Sequence, residues 1–155
     1  MKKTALLFVT IAIFAMLSGC QTSRTPLDAA GFTEKAEAAG YTVQDAADQF
    51  PEGAVNDCLL AIMGTDTVLY KIEFAVVPTV EQANSAYWEN RSNIEASKGS
   101  ASSNTSVSMD NYAYYKLTSD GKYSVISRIE NTFVYVVASS EYKDEIAAFL
   151  QDIGY

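Results

Sequence analysis

Histidine is absent from all 155 residues. Its absence removes the commonest general base at neutral pH, the Ser–His and Cys–His nucleophile pairs, and the commonest zinc ligand. Cysteine is nearly absent, with Cys20 and Cys58 alone, too few for a disulfide framework or a cysteine-ligated metal cluster. Basic residues are few, 11 against 19 acidic ones, for a net charge of −8. A phosphate backbone repels a chain of that sign, so nucleic acid is not an expected partner. Neither a glycine-rich phosphate loop nor a calcium loop of the Asp-x-Asp-x-Asp-Gly type occurs. No cofactor or metal is expected.

Long apolar runs are also scarce, with one exception. Lys2 and Lys3 precede Ala5 to Leu17, where Thr10 is the only polar residue, and Leu17-Ser18-Gly19-Cys20 closes the run. This is a positive start, an apolar stretch of signal-peptide length, and small residues before a processing point. The stretch falls short of the ~20 residues a membrane-spanning helix needs. The last four residues resemble the lipobox of bacterial lipoprotein precursors. The resemblance implies diacylglycerol on the Cys20 thiol, cleavage before Cys20, and a protein held to the membrane from the extracytoplasmic side. Two acyl chains, at ~0.8 kcal/mol per buried CH₂, anchor stably.

The chain then divides into a leader (1–19), the lipidated Cys20 with a short tether (20–27), and one domain (28–155). Loss of the leader removes two lysines and no acid, so the charge moves from −8 to −10 on the remaining 136 residues. That length suits a single domain with a sizeable core. An acidic domain is pushed away from anionic lipid within about a Debye length of ~8 Å. With Cys20 acylated, Cys58 has no disulfide partner.

The pattern along 28–155 predicts an α+β fold. Asp28 caps a helix over 29–39 that ends at Gly40, and a short strand follows over 41–44. Strands over 57–63 and 67–77 flank Gly64-Thr65-Asp66. Thr79 and Gln82 form a capping box for a helix over 80–97, with Val80, Ala83, Tyr87, Asn90 and Ile94 on one face. Asn90 is the polar exception there, expected to bond a neighbouring loop. The serine-rich Lys98–Thr105 segment reads as a mobile loop. Strands over 112–118 and 122–130 enclose Asp120-Gly121, a type I′ hairpin signal, and a third strand covers 133–138. Ser140 caps a last helix over 141–153, where Tyr142, Ile146, Phe149, Leu150 and Ile153 form the clearest apolar stripe. The expected architecture is a mostly antiparallel sheet with helices on one face, as two βββα halves after a leading helix. The body is also similar to small uncharacterised lipoproteins of Clostridia-like bacteria, through Gly40-Tyr41-Thr42-Val43, Ser127-Arg128-Ile129-Glu130-Asn131-Thr132 and Ile153-Gly154-Tyr155. That resemblance implies no activity.

Cys58 is the one candidate nucleophile, and no histidine exists to activate it, so it reads as a buried structural thiol. The acids are scattered, with no pair placed for glycoside hydrolysis. Ten tyrosines suit strand packing and also raise a glycan-binding surface. If Asn131-Thr132 turns the chain, Arg128 lies opposite Tyr135 and Ile126 opposite Val137. Tyr115, Arg128 and Tyr135 then form the candidate recognition patch, a guanidinium beside rings that could hold a carboxylate or a sugar. The alternative has that face packed on the first hairpin, with Arg128 paired to Glu130 or Glu73. The expected function is a non-catalytic, lipid-anchored binding or interaction module with an envelope protein or glycan as partner. Its rivals are an envelope-acting enzyme using carboxylates assembled by the fold, and a structural subunit of an envelope complex.

Overall fold

The computed structural model describes residues 23–155. The leader and Cys20 lie outside the described residues. Helix α1 (Ala29–Ala38) is followed by β1 (Thr42–Asp45), a 3-10 turn at Ala47–Gln49, β2 (Asp57–Met63) and β3 (Tyr70–Val76). Then come α2 (Val80–Ala96), β4 (Ser102–Ser108), β5 (Tyr112–Ser119), β6 (Lys122–Ile129), β7 (Thr132–Ser139), a 3-10 turn at Ser140–Tyr142, and α3 (Lys143–Asp152). The strands make one seven-stranded antiparallel sheet in the order β1-β2-β3-β7-β6-β5-β4. The α+β class and the antiparallel sheet are as the sequence predicts.

Local chemistry sets most element ends. The Asp28 carboxylate accepts from Gly31 N at 2.7 Å at the start of α1. At its end Gly40 adopts φ 87°, and Tyr41 N donates back to Ala36 O at 3.0 Å. Gly154 and Tyr155 close α3 the same way, with Tyr155 N on Leu150 O at 2.8 Å. Both halves of the Thr79–Gln82 capping box are present. Asp120 (φ 48°) and Gly121 (φ 76°) form the expected two-residue hairpin, with Ser119 opposite Lys122.

Three expectations are corrected. The segment from Ser102 to Ser108 is not a loop but an edge strand paired with β5 along its whole length. Its side chains are small and, Val107 apart, exposed, so apolar alternation, the usual mark of a strand, is missing while the backbone pairing is complete. The helices do not share one face. Phe32 and Ala36 of α1 and Ile146, Phe149 and Leu150 of α3 pack with Ile72, Phe74, Val125 and Val134. Ala83, Tyr87 and Ile94 of α2 pack on the opposite face, against Ala75, Tyr115, Leu117, Ile126 and Phe133. Two βββα halves are therefore not the organisation. A twofold axis normal to the sheet would map β1-β2-β3 onto β5-β6-β7, but such a rotation keeps faces, and α2 and α3 lie on different ones. The second half also has four strands. Helix α2 carries the chain across the sheet to the far edge, and β4 to β7 fold back until β7 pairs with β3.

The aromatic centre of the α1–α3 side is close-packed. Phe32 stacks on Phe74 at 4.5 Å between ring centroids, and Phe149 lies 4.7 Å from Tyr41. The Tyr41 and Tyr70 hydroxyls bond at 3.0 Å, and Tyr70 donates to Glu145 at 2.7 Å. Those bonds satisfy two phenols that would otherwise be buried without partners.

Candidate functional site

The β6–β7 connection decides where the expected patch goes. The turn is Glu130-Asn131, with Glu130 at φ 51°, and Ile129 pairs with Thr132. Thr132 is buried, and its hydroxyl bonds Ile129 O at 2.7 Å, so it belongs to the ladder rather than to the turn. Its branched Cβ also disfavours a left-handed turn position. Asn131 is tied to the end of β3, its amide donating to Val77 O at 2.9 Å. The register therefore differs from the expected one by two residues. Arg128 lies opposite Phe133, and Ile126 opposite Tyr135. A shift of two preserves the faces, so Tyr115, Arg128 and Tyr135 do share one side of the sheet.

That side is covered by α2, and the three residues do not form an exposed patch. Tyr115 is 2% exposed and Arg128 4%. Arg128 donates to Glu130 O at 3.1 Å and to Asp110 O at 3.4 Å, both backbone carbonyls and neither of them the carboxylate of Glu130 or Glu73. It ties the β4–β5 connection to the β6–β7 turn, and burial lowers its pKa. Arg91 of α2 sits over the Tyr115 ring at 4.9 Å. Asn90 donates to Ala86 O at 2.9 Å, within its own helix rather than to a loop. Only Tyr135 remains half-exposed. It borders a cleft of about 340 Å³ beside Leu60, Lys71, Glu73 and Val137, where α2 does not reach. Burial pushes the Glu73 carboxyl upward there, with Lys71 opposing. Cys58 is buried, and burial first, then Glu73 and Asp45, push its thiol to about 12.

The larger concavity is on the other face, between α3 and the β4–β5 edge. It encloses about 560 Å³ and is lined by Arg24, Thr25, Thr105, Val107, Tyr112, Tyr114, Ala147, Leu150, Gln151, Gly154 and Tyr155. Pairing of Val107 with Tyr114 sets the floor. Leu150 and Gln151 of α3 form one wall. The short side chains of β4 leave the other side open.

Arg24, from the tether, closes one end. Its guanidinium lies 3.7 Å above the Tyr112 ring centroid, and its Nη1 donates to Gly154 O at 2.7 Å. The Asn111 amide donates to Arg24 O at 2.7 Å, and Arg24 N donates back to Asn111 Oδ1 at 3.4 Å. The cation thus sits at the carbonyl end of the α3 terminus, where positive charge is favoured. Burial raises the phenols of Tyr112 and Tyr114, and it pushes Tyr155 to about 12. All three remain protonated donors at neutral pH. The lining offers hydroxyls, one amide and one guanidinium, with no carboxylate and no thiol.

A guanidinium beside tyrosine rings, expected at Arg128, is therefore present at Arg24 instead. The alternation of Tyr112 and Tyr114 was legible, but nothing local in the tether singled out Arg24. Among the described residues no cluster of three metal-ligating side chains occurs, and no helix is long and apolar enough to cross a membrane. No family model matches the chain, and no curated protein matches it. Among solved structures it is similar to the extracellular domain of PknH from Mycobacterium tuberculosis, at 13% identity over 77% of this chain and 68% of that one, with a TM-score of 0.34. At that score the likeness carries no functional argument.

Proposed function

We propose that the protein is a lipid-anchored, extracytoplasmic module that binds its ligand without transforming it, and that the ligand sits in the groove between α3 and β4–β5. The carrying observation is the convergence of Arg24, Tyr112, Tyr114 and Gln151 on one concave surface. The charged leader and the Leu17-Ser18-Gly19-Cys20 motif support the location. Tyr114 presents a half-exposed ring on which a sugar can stack. Gln151 and the Tyr114 hydroxyl supply hydrogen bonds, and Arg24 supplies a partner for a carboxylate. A carbohydrate carrying carboxylates, such as a peptidoglycan fragment, fits this set.

The enzyme reading would rest on Glu73, the carboxyl that burial pushes upward in the second cleft. That cleft is lined by no second acid, so paired acid–base work has no partner there. Calorimetric titration with soluble muropeptides tests the binding reading. Tyr114→Ala should weaken binding about tenfold or more, since loss of a stacking ring and a hydrogen bond amounts to ~1.4 kcal/mol or more. Tyr135→Ala, on the opposite face, should leave it unchanged. Equal affinity of wild type and Tyr114→Ala would refute the site, and cleavage of the muropeptide on incubation would refute a purely binding role.

A further inference from the structure

Arg24 does more than line the groove: it holds the tether. Four contacts fix it, through its backbone to Asn111 and through its guanidinium to Gly154 O and the Tyr112 ring. Three residues separate it from Cys20. Four Cα steps at ~3.5 Å each span at most about 14 Å. The point at which the domain is held to the anchor is thus Arg24, at one end of the sheet, and not the start of α1.

That end gathers the β4–β5 connection, the β6–β7 turn and the start of α2, with Met109 and Val80 exposed there. Val68 and Leu69 are exposed at the opposite end, in the β2–β3 connection, so the Arg24 clamp and not apolar exposure sets the direction. The Asp120-Gly121 hairpin is at the other end of β5, eight residues away, or about 25 Å at ~3.3 Å per residue. We infer that the domain stands end-on at the bilayer, with the Arg24–Met109–Val80 end facing the lipid surface and the Asp120-Gly121 hairpin pointing away. The inference rests on lipidation of Cys20. Asp110 and Glu130 lie at the same end, so the contact suits zwitterionic lipid and is weakened by anionic lipid at low salt.

The test uses the full-length lipidated protein in zwitterionic vesicles carrying a dansyl headgroup lipid. In a Trp88→Phe background, single reporters Met109→Trp and Lys122→Trp, both at exposed sites, mark the two ends. Energy transfer from Met109→Trp should exceed that from Lys122→Trp several-fold, and the difference should shrink when Arg24→Ala frees the tether. Equal or reversed transfer, on vesicle-bound protein whose mass shows the lipid, overturns the orientation while leaving the anchor standing. A difference that survives Arg24→Ala unchanged overturns the clamp as its cause. Protein that stays off the vesicles, with Cys20 unmodified by mass, refutes the anchor itself, and the orientation falls with it.

Discussion

Replacing Phe32 by alanine tests the central packing of the α1–α3 side. Phe32 has no exposed surface, and with Ala36 it is all that α1 buries fully. Its ring stacks on Phe74 at 4.5 Å and 10°, and it meets the Phe149 ring edge-on at 6.1 Å. Truncating a buried phenylalanine to alanine costs about 3–5 kcal/mol, from lost transfer energy plus the cavity left behind. The two ring contacts, each worth ~0.5–1.5 kcal/mol, put this site in the upper part of that range. We expect about 4–5 kcal/mol. For a domain of this size that corresponds to a fall in Tm of roughly 12–20 °C. Phe32→Leu keeps most of the volume and loses the ring geometry, so it should cost about 1–1.5 kcal/mol. Urea unfolding of the domain, followed by far-ultraviolet circular dichroism, measures both. A cost below ~1 kcal/mol for Phe32→Ala would mean that α1 is not docked through this ring. A double-mutant cycle between Phe32→Leu and Phe74→Leu should show coupling of at least ~0.5 kcal/mol, and its absence would refute the stacking term.

Two further outcomes follow from the buried groups. Cys58, with its thiol at about 12 and no exposed surface to speak of, should resist iodoacetamide in the folded protein and react at the rate of unfolding; fast native labelling would refute its burial. Glu73 has its carboxyl raised by burial, so the stability it lends is present below the unfolded value near 4.5 and is lost as pH rises through the folded value. Glu73→Gln should therefore be more stable than wild type at neutral pH and match it near pH 3, about where both forms are neutral; equal stability at both pH values would show that Glu73 is solvated.

Much of the fold was legible because its signals are short-ranged. The Asp28 cap, the Thr79–Gln82 box, Gly40, Gly154 and the Asp120-Gly121 turn each act within four or five residues, and all appear in the structure where the sequence puts them. Strand β2 has the expected bounds, Asp57–Met63. The misreadings share a cause. Apart from Val107, strand β4 is built from serine, threonine and asparagine, so it carries no apolar alternation, and its strand state comes from pairing with β5. The β6–β7 turn, expected at Asn131-Thr132, lies at Glu130-Asn131. The buried Thr132 and the Asn131–Val77 bond chose between them.

Sequence alone determined the class, the ends of most elements and the lack of histidine chemistry. It also determined which residues share a strand face, since that depends on parity and survives a two-residue slip. Tertiary structure alone decided which face each helix covers. Tyr115 and Arg128 lie under α2 because that helix crosses β5, β6 and β7 on its way to the far edge, and no local pattern records the path of a crossover. Tertiary structure also assembled the groove. Arg24 reaches Asn111 and Gly154 across 87 and 130 residues of chain, and such contacts form only once the sheet has brought their ends together.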